Sequence, residues 1–149
     1  MIAILGVKLK RIYIIFLMVL AVIGVSHLAI TEGAISENKV IAYYFHGTFR
    51  CPTCHKLEQY SKEAIENNFK DALSSGKLEF KVVNLEEKGN EYYVKDYQLY
   101  TKSLILSLVK DSKEIKWKNM DKIWECVGNK QRFIDYVSSG VTDFLKENE

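Results

Sequence analysis

Two closely spaced cysteines are the residues of this chain best suited to carry chemistry. The chain holds only three cysteines and one proline, and two of the cysteines flank that proline in Cys51-Pro52-Thr53-Cys54, with His55 directly after them. A C-x-x-C pair can form a redox-active dithiol, and a histidine directly after it also completes the covalent haem attachment pattern. The same pair can supply half of a zinc site. The surrounding sequence has to distinguish these three chemistries.

The N-terminus predicts export of the residues that follow it. The basic stretch at 8–11 precedes 19 residues, 12–30, that carry no charge. Such a run is about long enough to cross a bilayer core as a helix, and cations before it retain the N-terminus in the cytoplasm. We therefore expect a cytoplasmic segment at 1–11, a transmembrane anchor or signal peptide at 12–30, a linker at 31–38 and a domain at 39–149. This predicts a single-pass protein of the cell membrane whose C-terminal domain is extracytoplasmic.

The charge distribution argues against a nucleic-acid partner. The formal net charge is +2, and residues 1–34 contain three of the 21 basic residues but one of the 19 acidic residues. The remainder of the chain therefore carries no net charge. Nucleic-acid-binding domains usually present a basic patch or stripe, so we expect no nucleic-acid function.

Hydrophobic patterns predict four strands and three main helical segments in the exported part. Strands are expected at 39–47, 77–85, 103–110 and 113–118, because these segments are β-branched, aromatic or alternating. Apolar residues at steps of three and four predict a helix from the cysteines to about 74–76 and another over 133–145, which Gly140 should weaken. The connection at 86–99 is polar and expected to be helical.

This order predicts an α/β fold with a four-stranded mixed sheet flanked by helices, preceded by an N-terminal transmembrane helix. A strand, helix, strand unit implies two parallel strands with a right-handed crossover. The last two strands form an antiparallel hairpin, followed by a helix. We expect helices on both faces of the sheet. A domain of this length can bury its own core without disulfides.

The strand followed directly by C-x-x-C resembles the thioredoxin fold over roughly residues 38–148. The segment at 43–54, Tyr-Tyr-Phe-His-Gly followed by Arg-Cys-x-x-Cys, is similar to a membrane-anchored, thioredoxin-like family of nitrophenyl compound nitroreductase subunits. The resemblance implies a redox dithiol. Two positions depart from thioredoxins: Arg50 replaces the usual tryptophan, and Lys102 replaces a cis-proline between Thr101 and Ser103. Because a cis bond before a non-proline residue is costly, we expect trans geometry there and a specialised partner.

The residues themselves also favour a dithiol. Cys51 should lie at a helix N-terminus, where unpaired N–H groups and the helix dipole stabilise the attacking thiolate. Cys54, one turn later, would resolve the mixed disulfide. Four further positions are candidates for tuning the site from nearby, and two could lie near the sulfurs across the sheet edge. These are Arg50, Pro52, Thr53 and His46, and then Thr101 and Lys102.

Four alternatives remain open from the sequence. The Cys51–Cys54 pair could form a purely structural disulfide, although closing so short a loop would stabilise the fold little. A c-type cytochrome would use Cys51, Cys54 and His55, with Met120, His46 or His27 as the further iron ligand, but strands surround the motif. A zinc site would need Cys126 and His46, which form no recognisable spacing with the pair. The fold could also serve as a non-enzymatic docking or accessory subunit of a membrane redox complex. We favour the dithiol, with no cofactor or metal, a membrane electron-relay protein as one partner and a protein dithiol or disulfide as the substrate.

Overall fold

The computed structural model of the chain describes residues 38–148. The predicted cytoplasmic segment at 1–11, the apolar segment at 12–30 and nearly all of the predicted linker lie outside the described residues. Within residues 38–148, no helix is long and apolar enough to cross a membrane. The first strand begins at Lys39, directly after the predicted linker.

Four strands form one mixed sheet, as the sequence predicted. They are β1 (Lys39–His46), β2 (Leu78–Asn84), β3 (Ser103–Lys110) and β4 (Lys113–Asn119), in the order β2-β1-β3-β4. β1 and β2 are parallel, whereas β3 is antiparallel to both β1 and β4. This order and these directions make the fold thioredoxin-like. They bring the ends of β1 and β2 and the start of β3 to one edge of the sheet.

Within residues 38–148, five helices connect or cover the strands. They are α1 (Pro52–Asn68), α2 (Lys70–Ser74), α3 (Tyr92–Asp96), α4 (Ile123–Cys126) and α5 (Lys130–Glu147). The final helix is confirmed. The prediction of one continuous helix from the cysteines to about 74–76 is wrong, because Phe69 leaves helical geometry at φ −129° and ψ 37°. Asn68 contributes to this ending, since its side-chain amide donates to the Ala64 carbonyl at 3.0 Å.

The two faces of the sheet are covered unequally. The helical face, which includes Val40, Ala42 and Tyr44 of β1, packs against α1 and α5. The aromatic face, which includes Ile41, Tyr43 and Phe45, packs mainly against tyrosines of the chain between β2 and β3.

Helices were expected on both faces, but the aromatic face has only the short helix α3. The prediction of a helix over much of 86–99 is therefore wrong in extent. Turns occupy the chain before α3, where Gly89 has φ +96°, a backbone conformation that glycine adopts without steric cost.

Candidate dithiol site

The two cysteines of the motif lie at the N-terminus of α1, as the sequence predicted. Cys51 is the N-cap residue with an extended backbone (φ −80°, ψ 164°), and Pro52 begins the helix. A proline suits this position because its φ is fixed near the helical value and the first helical N–H has no intrahelical partner. The β1 strand ends five residues earlier, so strand, loop and proline together place Cys51 at the sheet edge.

The sulfurs of Cys51 and Cys54 are paired as a disulfide, with their Cα atoms 5.0 Å apart. The backbone N–H of Cys54 donates to Cys51 Sγ at 3.2 Å. On reduction the same N–H and the helix dipole would stabilise a Cys51 thiolate. Cys54 is only 2% exposed, whereas Cys51 is partly exposed. Cys51 is therefore the sulfur that a partner can reach.

Tyr44 of β1 supports the second cysteine from the helical face. Its side chain is fully buried, and its hydroxyl donates to the Cys54 backbone carbonyl at 2.8 Å. Burial raises the pKa of Tyr44 to about 12, partly opposed by the positive charge of Arg50. The sequence does not predict this contact, because an aromatic residue in a buried strand has no feature that identifies its hydroxyl partner.

Arg50 does not lie free beside the thiol, since its guanidinium forms an ion pair with Glu58 of α1. The side chains are only 20% and 25% exposed. Glu58 therefore partly neutralises the positive charge of Arg50, which weakens any stabilisation of a Cys51 thiolate by Arg50. The sequence analysis missed Glu58, because a glutamate on an amphipathic helix ordinarily faces solvent.

The remaining residues of the motif lie at the start of α1. Pro52 and His55 are exposed, and Thr53 is partly buried. His55 accordingly faces solvent.

His46, Thr101 and Lys102, predicted to lie near the dithiol, share a cleft at the same edge of the sheet. Its volume is about 190 Å³, and neither cysteine lines it. His46 is the last residue of β1, and its Nδ1 lies 2.8 Å from the Gly47 carbonyl oxygen. The cleft is lined by residues from the ends of β1 and β2 and from the loop before β3: His46, Gly47, Leu85, Glu86, Leu99, Tyr100, Thr101 and Lys102.

Glu86 connects the end of β2 to the loop that carries the dithiol. Its carboxylate accepts hydrogen bonds from the side chain and backbone of Thr48, which lowers its pKa, and Lys102 and His46 act in the same direction. A Cβ on Gly47 would lie 2.5 Å from Glu86 Oε1, so a larger residue at this position would displace the Glu86 carboxylate. Glu86 thereby holds Thr48 in the loop that leads from β1 to the N-cap residue Cys51. Sequence reasoning missed Glu86 because its partner is distant along the chain.

The loop before β3 has trans geometry, as expected for a segment without proline. No cis peptide bond occurs in residues 38–148. The Lys102 carbonyl accepts a hydrogen bond from Trp124 Nε1 at 3.0 Å. Part of this loop's backbone is thus already bonded within the domain.

The third cysteine is separate from the motif. Cys126 is a free thiol in α4, 3% exposed and packed in the core of the helical face. Cys126 therefore packs as a small buried apolar residue. In the described part of the chain, no group of three or more histidine, cysteine, aspartate or glutamate side chains is placed to hold a metal ion.

Comparison with known proteins gives similarities only to solved structures. No protein-family model and no curated protein sequence matches the chain. Thioredoxin from Fasciola hepatica matches with a TM-score of 0.37 and 19% identity, over 62% of this chain and 82% of that chain. Thioredoxin from Trypanosoma brucei brucei matches with a TM-score of 0.36 and 17% identity, over 68% and 78%.

Chlamydomonas reinhardtii thioredoxin f2 gives a TM-score of 0.35 and 14% identity, over 66% of this chain and 84% of that chain. These TM-scores and identities are low, and the strand order and strand directions define the fold independently of them. A four-stranded mixed sheet with a C-x-x-C disulfide at the start of the first long helix is the arrangement of a thioredoxin-like fold, and its paired cysteines are able to undergo thiol–disulfide exchange.

Proposed function

We propose that this chain is a membrane-anchored, extracytoplasmic thiol–disulfide exchange or electron-relay protein that acts through Cys51 and Cys54. The observation that carries the proposal is the disulfide at the N-terminus of α1, with Cys51 as the N-cap and Cys54 buried behind it. This is the arrangement that an attacking and a resolving thiol need. The membrane location depends on the basic and apolar segments at 8–30.

The reaction transfers two electrons and needs no bound cofactor. In the reducing direction, the Cys51 thiolate attacks one sulfur of a substrate disulfide, forms a mixed disulfide and releases the other substrate sulfur as a thiolate. The Cys54 thiolate then attacks the Cys51 sulfur, which closes the Cys51–Cys54 bond and releases the second substrate sulfur. The two protons of the dithiol end on the substrate thiols. A dithiol on a membrane electron-relay protein regenerates the reduced pair by the same exchange in reverse.

From the resemblance to nitrophenyl compound nitroreductase subunits, this proposal takes only the fold and the dithiol. The site supports exchange with a protein dithiol or disulfide, and we do not extend the proposal to reduction of nitro groups. Covalent haem attachment suits the site less well. It would need both sulfurs unpaired and accessible, whereas Cys54 is buried and paired with Cys51.

Exchange by the full-length chain tests the proposal. The substrate is a disulfide-linked peptide carrying a fluorophore and a quencher, with glutathione as the reductant. We expect Cys51→Ser to reduce exchange to background, and Cys54→Ser to accumulate a mixed disulfide that mass spectrometry detects. Cys126→Ser is the matched control and should retain exchange, because that thiol lies in the core away from the motif. Unchanged exchange by Cys51→Ser would contradict the proposal.

A docking or accessory subunit of a membrane redox complex is the second candidate function. The loop before β3 favours it, because Lys102 stands where thioredoxins have a cis-proline and its carbonyl is bonded to Trp124. The backbone of a bound substrate would therefore find fewer free hydrogen-bonding groups in the loop before β3. If the unmodified chain exchanges disulfides with neither the peptide nor glutathione, the docking role replaces the exchange role.

A further inference from the structure

The ion pair between Arg50 and Glu58 joins two residues that flank the dithiol in the sequence. Arg50 directly precedes Cys51, and Glu58 lies one helical turn after Cys54 on α1. Residues four apart on a helix are neighbours on its surface, so Glu58 and Cys54 are adjacent. The ion pair therefore joins the loop before Cys51 to the turn of α1 that follows Cys54.

This pair is more enclosed than another ion pair that α1 makes. Arg50 and Glu58 are 20% and 25% exposed, whereas Lys130 and its α1 partner Glu63 are 49% and 27% exposed. Apart from the ion pair, Nε and Nη2 of Arg50 and Oε2 of Glu58 are buried and have no hydrogen-bond partner among residues 38–148. Charges that water screens weakly act more strongly on their neighbours.

Reduction of the disulfide would create a new competitor for Arg50. In the disulfide form the sulfurs carry no charge, so Glu58 is the carboxylate that binds the guanidinium. After reduction, the Cys51 thiolate adjoins Arg50 in the chain and attracts the same positive charge. The Cys51 thiolate and the Glu58 carboxylate therefore compete for the positive charge of Arg50, and each weakens the interaction of the other with the guanidinium.

We propose that Glu58 is a positioning residue that tunes the dithiol by holding Arg50 away from the Cys51 thiolate. The inference rests on the proposed function. With Glu58 present, fewer Cys51 thiols ionise near neutral pH, and the reduced form gains less stability from its thiolate. An attacking thiol is most effective when its pKa lies near the ambient pH, so the balance between Arg50 and Glu58 would influence the rate of exchange.

The other charged or titratable groups around the dithiol come from three elements. On α1 these are His55 and Lys56, both exposed, and on β1 they are Tyr44 and His46. Lys102 lies on the loop before β3. All of these stay unchanged in the variants below, so differences between the variants report on Arg50 and Glu58.

Four versions of the full-length chain test the inference: Glu58→Gln, Arg50→Gln, the double variant and the unmodified chain. After reduction, alkylation of Cys51 is followed against pH by mass spectrometry of the peptide that contains it. We expect Glu58→Gln to shift the midpoint down by about 0.5–1 pH unit, because Arg50 is released to the thiolate. Arg50→Gln should shift it up. In the double variant the midpoint should match that of Arg50→Gln, since Glu58 acts through Arg50.

The equilibrium with glutathione provides a second readout. Glu58→Gln should favour the reduced form roughly three- to tenfold near neutral pH, in line with the expected change in thiol pKa. Glu63→Gln is the matched control, because it breaks an ion pair of the same helix with Lys130. It should leave both the alkylation midpoint and the glutathione equilibrium unchanged.

An unchanged midpoint in Glu58→Gln would overturn the inference, as would a downward shift of equal size with and without Arg50. The latter would show that Glu58 acts on the sulfurs directly. Failure of the proposed function can be distinguished from failure of this inference. A chain that exchanges no disulfides still gives an alkylation midpoint for Cys51, so the effect of Glu58 on that midpoint can be measured in either case. Circular dichroism of each variant separates a charge effect from loss of fold.

Discussion

The helical face and the aromatic face of the sheet are stabilised in different ways. On the helical face, two long helices bury aliphatic and aromatic side chains against β1 and β3, and Phe133 of α5 is fully buried beside Tyr60 of α1. On the aromatic face, a five-residue helix supplies Tyr93, and Tyr97 follows directly as its C-cap residue. Burial of apolar area by long helices therefore supports the side of the sheet against which the dithiol helix packs.

One buried tyrosine hydroxyl on each face shows the same contrast. On the helical face, Tyr44 donates to the backbone of α1 at Cys54. On the aromatic face, Tyr97 and Ser107 both donate to Glu114 Oε2, each at 2.5 Å. The Tyr44 hydroxyl supports the dithiol site. The Tyr97 hydroxyl instead links the C-terminal end of α3 to the β3–β4 hairpin. We infer that changes on the aromatic face alter stability without altering exchange.

The largest expected effect comes from the core of the helical face. Phe133→Ala should lower the free energy of unfolding by about 3–5 kcal/mol, because it leaves a cavity between α1, α5 and the sheet. Denaturant unfolding measures the change. Phe49→Ala is the matched control, since that ring is 79% exposed and its loss should change stability by no more than about 0.5 kcal/mol. If Phe133→Ala lowered the free energy of unfolding by less than about 1 kcal/mol, the helical face would not be the main source of the fold's stability.

A smaller effect is expected from Tyr44 at alkaline pH. Its pKa is about 12 in the folded chain, against an ordinary value of 10.0, because burial disfavours the phenolate. Above pH 10 the unfolded chain therefore loses a proton that the folded chain keeps, and stability falls as pH rises. The loss should reach about 2–3 kcal/mol by pH 12.

Tyr44→Phe should remove this part of the alkaline loss, which urea unfolding at several pH values measures. The matched control is Tyr100→Phe, since that ring is 95% exposed. An identical pH dependence in Tyr44→Phe and the unmodified chain would show that burial of this hydroxyl does not couple to folding.

The smallest effect is expected on the aromatic face. Tyr97→Phe should cost about 1–2 kcal/mol at pH 7, because it removes a hydrogen bond to a carboxylate. Ser107→Ala removes the other donor to the same oxygen, and the double variant should be non-additive because both hydroxyls share Glu114. Peptide exchange should stay unchanged in all three variants. A slowed exchange in Tyr97→Phe would break the proposed separation of the two faces.

Local patterns predicted much of this fold. The segment at 103–110 was expected as a strand and forms β3 with the same bounds, and the expected strand at 39–47 differs from β1 by one residue. Period-two and apolar runs determine strands because neighbouring side chains alternate between faces. The end of α1 was not predicted, since its break at Phe69 accompanies a side-chain contact of Asn68 with Ser138 on α5, 70 residues away.

The sequence by itself determined that a strand leads into a C-x-x-C pair at a helix N-terminus, because Pro52 and the preceding apolar run act locally. It did not determine the partners of Arg50 or of the Tyr44 hydroxyl, which packing of α1 against β1 selects. Gly140 illustrates the same division. Its sequence position predicts a weak point in α5, but a Cβ there would lie 2.5 Å from Met120 Cε. Such contacts join residues that only tertiary packing brings together, so propensity and spacing do not encode them.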